Sequence, residues 1–290
     1  MRLAYLNRRK FLLAAGIVSA SALAFGEEGL VREPSRAVLV RVEMPLARLP
    51  KAFDGFTIAH LSDFHYDAFS ITPIQKAVRI VNRLNPDLVV LTGDFVTTPV
   101  FSTHREPEAA KAAVPCARLL RDLRSRLGSF AVLGNHDVAA DPHFIAEALE
   151  AQGISVLRDR SQVIEREQTR LWLCGLDSIE THPPLEKSLR GVPSNECVVL
   201  CIHEPDFADR VSCYPVDLQL SGHSHGGQIS IPGIGPFWLP AHARKYPRGQ
   251  YRVGGLSLYT NIGLGTVRIP MRVNCVPEVT LITLRAPIAS

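Results

Sequence analysis

The sequence predicts an α/β fold built around parallel strands, and three observations predict it. Short apolar runs at Phe56 to Leu61, Leu88 to Leu91, Phe130 to Leu133, Val198 to Ile202 and Leu218 to Leu220 have the length and composition of buried strands. Segments with a helical apolar stripe follow the first three runs, and strand–helix alternation is a doubly wound pattern. Each run also ends in Asp, Asn or His. The polar residues therefore sit just past the carboxyl ends of strands, where open α/β sheets hold their sites. At 290 residues, one large domain accommodates all of this.

The first 25 residues differ from the rest. Asn7-Arg8-Arg9-Lys10-Phe11-Leu12 precedes an Ala- and Ser-rich apolar stretch from Leu13 to Phe25, with a small-x-small cleavage pattern at Ala22-Leu23-Ala24. Residues 1–24 are expected to be an export signal. The Arg8-Arg9 pair resembles a twin-arginine signal, so export machinery of that type is an expected partner. The apolar run is shorter than the ~20 residues that span a bilayer, which favours a cleaved leader over a retained anchor. The chain carries 32 basic and 28 acidic residues; residues 1–24 hold Arg2, Arg8, Arg9, Lys10 and no acid, so the remainder is balanced at 28 of each. The basic excess belongs to the leader and indicates no nucleic-acid partner.

Residues 25–37 are expected to be a polar linker, and residues 38–290 the functional domain, which opens with a strand over Val38 to Val42. Thr72-Pro73-Ile74-Gln75 supplies a capping residue, an early Pro and a capping-box Gln. Ile74, Ala77, Val78, Val81 and Leu84 form a buried stripe, and Asn85-Pro86 stops the helix. A second helix is expected from near Pro115 to before Gly128, with Leu119, Leu120, Leu123 and Leu127 inward. A third runs from Asp141-Pro142 to Gly153. Beyond Gly226 the pattern changes to short strands and Gly/Pro turns. Residues 97–114, polar and Pro-punctuated, form either a flap over the site or a surface insertion. The six cysteines contain no C-x-x-C pair. Cys174, Cys197 and Cys201 lie in strand-like runs, so mostly free, buried thiols are expected.

Five polar blocks carry the chemistry: Asp63-Phe64-His65, Gly93-Asp94, Gly134-Asn135-His136-Asp137, His203 and Gly222-His223-Ser224-His225. One alone would signify little; five in order point to a shared metal centre. Two divalent ions about 3.5–4 Å apart can neutralise an anionic substrate and acidify a water. Asp94, a carboxylate with two oxygens, suits the bridging position. Carboxylate, imidazole and one amide suit Mn, Fe, Zn or Co better than Mg or Ca, and Mn is the leading expectation.

In these five blocks the chain resembles the calcineurin-like metallophosphoesterase superfamily, from about Phe56 onward. Leu61-Ser62-Asp63-Phe64-His65, Ser221-Gly222-His223-Ser224-His225-Gly226-Gly227-Gln228 and Pro277-Glu278 are most similar to its exported bacterial phosphodiesterase branch. The resemblance implies two packed β-sheets flanked by α-helices, with Asp63, His65 and His225 completing one metal site, and Asn135, His203 and His223 the other. It places His136 beside the phosphate, as a general acid or a charge stabiliser. Phosphoprotein phosphatases carry an Asp three residues after the G-D aspartate and an Arg before G-N-H; Thr97 and Leu133 stand there. The other histidines are expected to be structural (His60) or on the surface (His104, His143, His182).

The apolar, turn-rich stretch from Ile231 to Pro240 is followed by His242, Arg244, Lys245 and Arg248. These four are candidate substrate contacts, and the loop suits either a lipid-linked phosphoester or simple packing on the second sheet. The expected function is hydrolysis of a phosphodiester or pyrophosphate bond in a small, lipid or envelope substrate, by a monomer outside the cytoplasm or at the membrane surface. A phosphate-scavenging phosphomonoesterase, a UDP-acyl-sugar pyrophosphatase of lipid A synthesis and a non-catalytic envelope-binding protein are the alternatives.

Overall fold

The computed structural model describes residues 26–99 and 106–287. The expected export signal and His104 lie outside the described residues. Two six-stranded sheets pack face to face. The first has the order β1 (Val38–Pro45), β14 (Glu278–Arg285), β2 (Thr57–Leu61), β3 (Leu88–Leu91), β4 (Ser129–Ala131) and β5 (Ile154–Val156). β2 to β5 are parallel, while β14 runs antiparallel to β2 and parallel to β1. The second has the order β12 (Gly249–Val253), β13 (Leu256–Thr260), β9 (Leu218–Ser221), β8 (Cys197–Cys201), β7 (Thr169–Gly175) and β6 (Arg160–Arg166). Its four central strands are parallel and both edges are antiparallel. The alternation of elements alone suggests one sheet with helices on both faces; here each sheet has helices on its outer face only.

The central strands β3 and β8 are apolar throughout because both faces are buried. Ile58, Leu88, Val90, Cys197, Val199 and Cys201 point between the sheets. Their neighbours Ala59, Leu61, Val89 and Leu91 pack under the helices of the first sheet. Val198 and Leu200 pack outward from the second. This is the period-2 alternation of a strand, with both phases filled.

The first long helix spans Ile71–Leu84. It begins before Thr72, and Ser70 occupies the N-cap position while exchanging hydrogen bonds with Asp67. Ile74, Ala77, Val78 and Val81 are buried. Asn85 closes the helix in the left-handed region at φ 45°, a conformation Asn tolerates. The second helix covers Ala113–Leu120, shorter than expected, and Leu127 is exposed. The third spans Pro142–Glu150, with the Asp141 carboxylate accepting from the His143 and Phe144 amides. An unexpected short helix, Asn135–Ala140, carries part of the site.

Residues 28–32, within the expected linker, form a π-helical turn bound to the domain. The Gly29 carbonyl accepts from the Arg272 amide, and the Glu33 carboxylate accepts from the Cys275 amide at 2.6 Å. Within 97–114, Pro107–Ala110 is helical, with Ala110 and Ala113 buried in the first core; residues 100–105 lie outside the described residues. All six cysteines are free and only Cys213 is exposed. Among the described residues no helix is long and apolar enough to cross a membrane.

Candidate metal centre

The five polar blocks converge where the carboxyl ends of the two sheets meet. Asp63 and His65 follow β2, Asp94 follows β3 and Asn135 follows β4, all in the first sheet. His203 follows β8, and His223 and His225 follow β9, in the second. Five of these residues have positive φ: Asp63 51°, His65 40°, Asp94 56°, His223 68° and His225 50°. Such angles are uncommon for side chains with a Cβ, and a cluster of them marks strain held in place by the surrounding fold. The Phe64 and Phe95 rings, each next to a candidate ligand, stack with centroids 5.0 Å apart. That pairing stabilises by about 0.5–1.5 kcal/mol beyond burial and ties the first two loops together.

Ligand atoms group as Asp63/His65/His225, His65/Asp94/His136 and Asp94/His203/His223. Asp94 belongs to two groups: its Oδ2 lies 3.4 Å from His65 Nε2 and 3.1 Å from His203 Nε2. His225 Nε2 lies 3.3 Å from Asp63 Oδ1 and 3.1 Å from His65 Nε2. Asp63, His65 and His225 lie together, and His203 and His223 lie with Asp94, while His65, Asp94 and His136 form a third grouping between them.

The donors fit metal ions on two counts. His203 Nε2 and Asn135 Oδ1 are buried without a hydrogen-bond partner, a costly state unless an ion satisfies them. The second count is ring orientation. His203 Nδ1 donates to the Thr92 carbonyl at 2.6 Å, and His223 Nε2 donates to the Ala241 carbonyl at 2.8 Å. Each bond fixes the tautomer and leaves the opposite nitrogen as a lone-pair donor, the usual arrangement behind metal-bound imidazoles. Burial pushes His223 down to about 3, so its ring is neutral at neutral pH. His60, in contrast, is a buried strand residue bonded to Thr92 Oγ1, as expected.

Several backbone contacts position the donors. A side chain on Gly134 would overlap the Asp94 carboxylate, and one on Gly222 would overlap Ser62 and Asp63. The amide of His136 donates to Asp94 Oδ1, and that of His223 to both oxygens of Asp63. Asp137, adjacent to the predicted residues but given no role from sequence, is fully buried. Its carboxylate accepts from the amides of Asp94, Phe95, Val96 and Gly134, lashing the β3 and β4 loops together.

His136 lines the cavity above the cluster. Thr98 orients the His136 ring: it donates from its amide to His136 Nδ1 at 3.0 Å, and its hydroxyl lies 2.7 Å from the same nitrogen. Thr97 instead contacts His65 Nδ1 at 3.0 Å.

The cavity is about 620 Å³. It is walled by Phe237, Trp238 and Ile269, with Glu180, Glu204, His242 and Arg268 also lining it. Of the four candidate substrate contacts, His242 is therefore at the cavity. Arg244, Lys245 and Arg248 do not line it. The Arg244 and Lys245 amides cap the Asp206 carboxylate, the Lys245 ammonium pairs with Asp209, and Arg248 bonds Ser230. Among the described residues Arg268 is the one Arg or Lys in the lining. No motif in the sequence distinguishes it from other surface arginines.

The calcineurin-like phosphoesterase family model matches residues 56–227. The metallophosphoesterase YkuE of Bacillus subtilis (strain 168) is 34% identical over 293 residues, covering 97% of this chain and 98% of its own length. The phosphodiesterase YaeI of Escherichia coli (strain K12) is 30% identical over 289 residues, covering 96% and 99%. A Danio rerio transmembrane protein with metallophosphoesterase domain is 32% identical over 273 residues; the match covers 89% of this chain but 59% of that protein. The solved 5'-nucleotidase precursor from Thermus thermophilus shares the fold at a TM-score of 0.50 and 15% identity, over 79% of this chain and 54% of that one. With the family model and near-full-length relatives in agreement, the chain belongs to the calcineurin-like phosphoesterase family and is a metal-dependent phosphoester hydrolase.

Proposed function

We propose that this enzyme hydrolyses phosphodiester or pyrophosphate bonds, as a monomer, outside the cytoplasm or at the outer face of the membrane. Asp63, His65 and His225 would hold one divalent ion and Asn135, His203 and His223 the other, with Asp94 between them; Mn is the proposed metal. When bound, the ions would supply charge neutralisation at the phosphate and a more acidic water. The chain's own part is to hold the donors in fixed tautomers, offer the His136 ring to the phosphoryl oxygens, and exclude water from one wall.

The observation that carries the diester reading is the charge of the cavity. Among the described residues, beyond the metal ligands it offers one Arg or Lys, Arg268, against Glu180 and Glu204, and Leu133 stands where a phosphatase-type Arg would be. A monoester dianion calls for more positive charge than this. A diester carries one negative charge and a second substituent, which the Phe237, Trp238 and Ile269 wall can accept. The relative named a phosphodiesterase adds support. Turnover on bis(p-nitrophenyl) phosphate should exceed that on p-nitrophenyl phosphate with the metal-reconstituted protein. A monoester preference would return the phosphomonoesterase reading to first place. Including a nucleoside-diphosphate lipid in the same panel tests the pyrophosphatase reading.

Export by the twin-arginine route rests on Arg8 and Arg9. Replacing both with Lys should leave precursor in the cytoplasm upon cell fractionation. Normal export of the Arg8→Lys, Arg9→Lys variant would exclude that route.

A further inference from the structure

Among the described residues, seven of the eleven exposed large hydrophobics fall on three adjoining segments beside the cavity. Leu30 and Val31 lie on the π-helical turn, 42% and 61% exposed. Ile231, Ile234, Phe237 and Trp238 lie on and beside the small hairpin of β10 (Ser230–Ile231) and β11 (Gly235–Pro236), with Ile234 at 80% and Phe237 at 77%. Ile269, at 53%, completes the set. Hydrogen bonds join the three segments into one surface. The Arg272 amide reaches Gly29, the Ser230 amide reaches Val273, and the Gln228 side chain reaches the Val267 and Ile269 carbonyls. Single exposed apolar residues are ordinary, but a cluster of this kind on one face marks a contact site.

We propose that this apolar rim seats on a lipid bilayer, so that the metal cavity opens at headgroup level toward a membrane-borne phosphoester. The proposal deepens the diester reading and rests on it for the choice of substrate. Two features favour a bilayer over a protein partner. The Glu28–Arg32 turn of this face directly follows the expected leader in sequence, so a leader still attached would hold this face at the membrane, and the face would meet that membrane first after cleavage. Phe237, Trp238 and Ile269 also line the cavity, so a protein seated on them would close the site, whereas a bilayer presents headgroups to it. The rim has interfacial chemistry as well: the Arg268 guanidinium lies 4.5 Å from the Trp238 ring centre. Trp with a nearby cation is the pair that settles at the membrane–water boundary.

Trp238 itself reports the contact. The chain has two tryptophans, so Trp172→Phe in the full chain leaves Trp238 alone. Vesicles of phosphatidylglycerol and phosphatidylethanolamine with brominated acyl chains should quench its fluorescence by roughly half, as for an indole at the interface. Trp172, bonded to Glu196 on the second sheet, should be unaffected in the reciprocal Trp238→Phe chain. Adding Ile231→Asp and Ile234→Asp, neither of which lines the cavity, should abolish the Trp238 quenching yet leave turnover of soluble bis(p-nitrophenyl) phosphate within about twofold, as surface changes do. Unquenched Trp238, or equal quenching in the Asp variant, overturns the proposal. So does a concentration-dependent dimer that the Asp changes dissolve. If the parent chain is quenched but turns over no soluble diester, bilayer docking stands and the diester reading falls.

Discussion

Asp94→Asn should fold normally, bind less than its full complement of metal and lose most activity. The two carboxylate oxygens have different tasks. Oδ1 accepts the His136 amide at 3.0 Å, which an Asn side-chain oxygen would continue to do. The asparagine NH2 would then occupy the Oδ2 position, facing the His65 and His203 Nε2 atoms at 3.4 and 3.1 Å. There it would donate to the two lone pairs meant for cations, and the charge that offsets them would be gone. Metal ions supply several kcal/mol of transition-state stabilisation, and each ~1.4 kcal/mol is tenfold in rate. A loss of roughly 10³-fold or more is therefore expected. Elemental analysis, a thermal melt and turnover on one diester measure the three parts separately. Full metal content with activity within tenfold of the parent would remove Asp94 from the bridging position.

Much of that centre was legible because its residues are short-range in sequence with the strands that deliver them. A strand buried on both faces is a continuous apolar run, and its polar end stands out. The two packed sheets, as the resemblance implied, are present, but the strand pattern alone did not encode them. Alternation of strand and helix does not say which sheet a strand joins. β14, from the far end of the chain, inserts beside β2, a pairing that no local pattern encodes. Helix limits failed where competing bonds decided them: Ser70, engaged with Asp67, starts the first helix ahead of Thr72. The candidate cations failed for a similar reason. Arg244 and Lys245 are near His225 in sequence, but Asp206 fixes their backbone elsewhere, and Arg268 arrives from a later loop. The left-handed angles at five candidate ligands are likewise a product of the assembled fold. Sequence supplied the residue types there, and packing supplied the strain.

His136→Ala should retain both metal sites and the fold, and lose roughly 10²–10³-fold in rate, the range for removing one preorganised donor. General-acid catalysis and charge stabilisation differ in where the ring proton sits. The Thr98 amide can only donate, so at 3.0 Å it holds His136 Nδ1 as an acceptor. The proton of the neutral ring is then on Nε2. Forming the imidazolium would place a second proton between Nδ1 and that amide, and break the bond. Burial acts in the same direction and pushes His136 down to about 4, against the attraction of Asp94. The expected role is therefore hydrogen-bond donation from Nε2 to a phosphoryl oxygen. A donor of that kind helps every leaving group alike. The fold-loss in His136→Ala should be nearly the same for a p-nitrophenyl diester and for an alkyl diester, whose leaving oxygen needs a proton. A much larger loss on the alkyl substrate would restore the general acid, and would require the Thr98 loop to turn its amide away during turnover. Loss of metal from the variant would instead make His136 a ligand, consistent with its place beside His65 and Asp94.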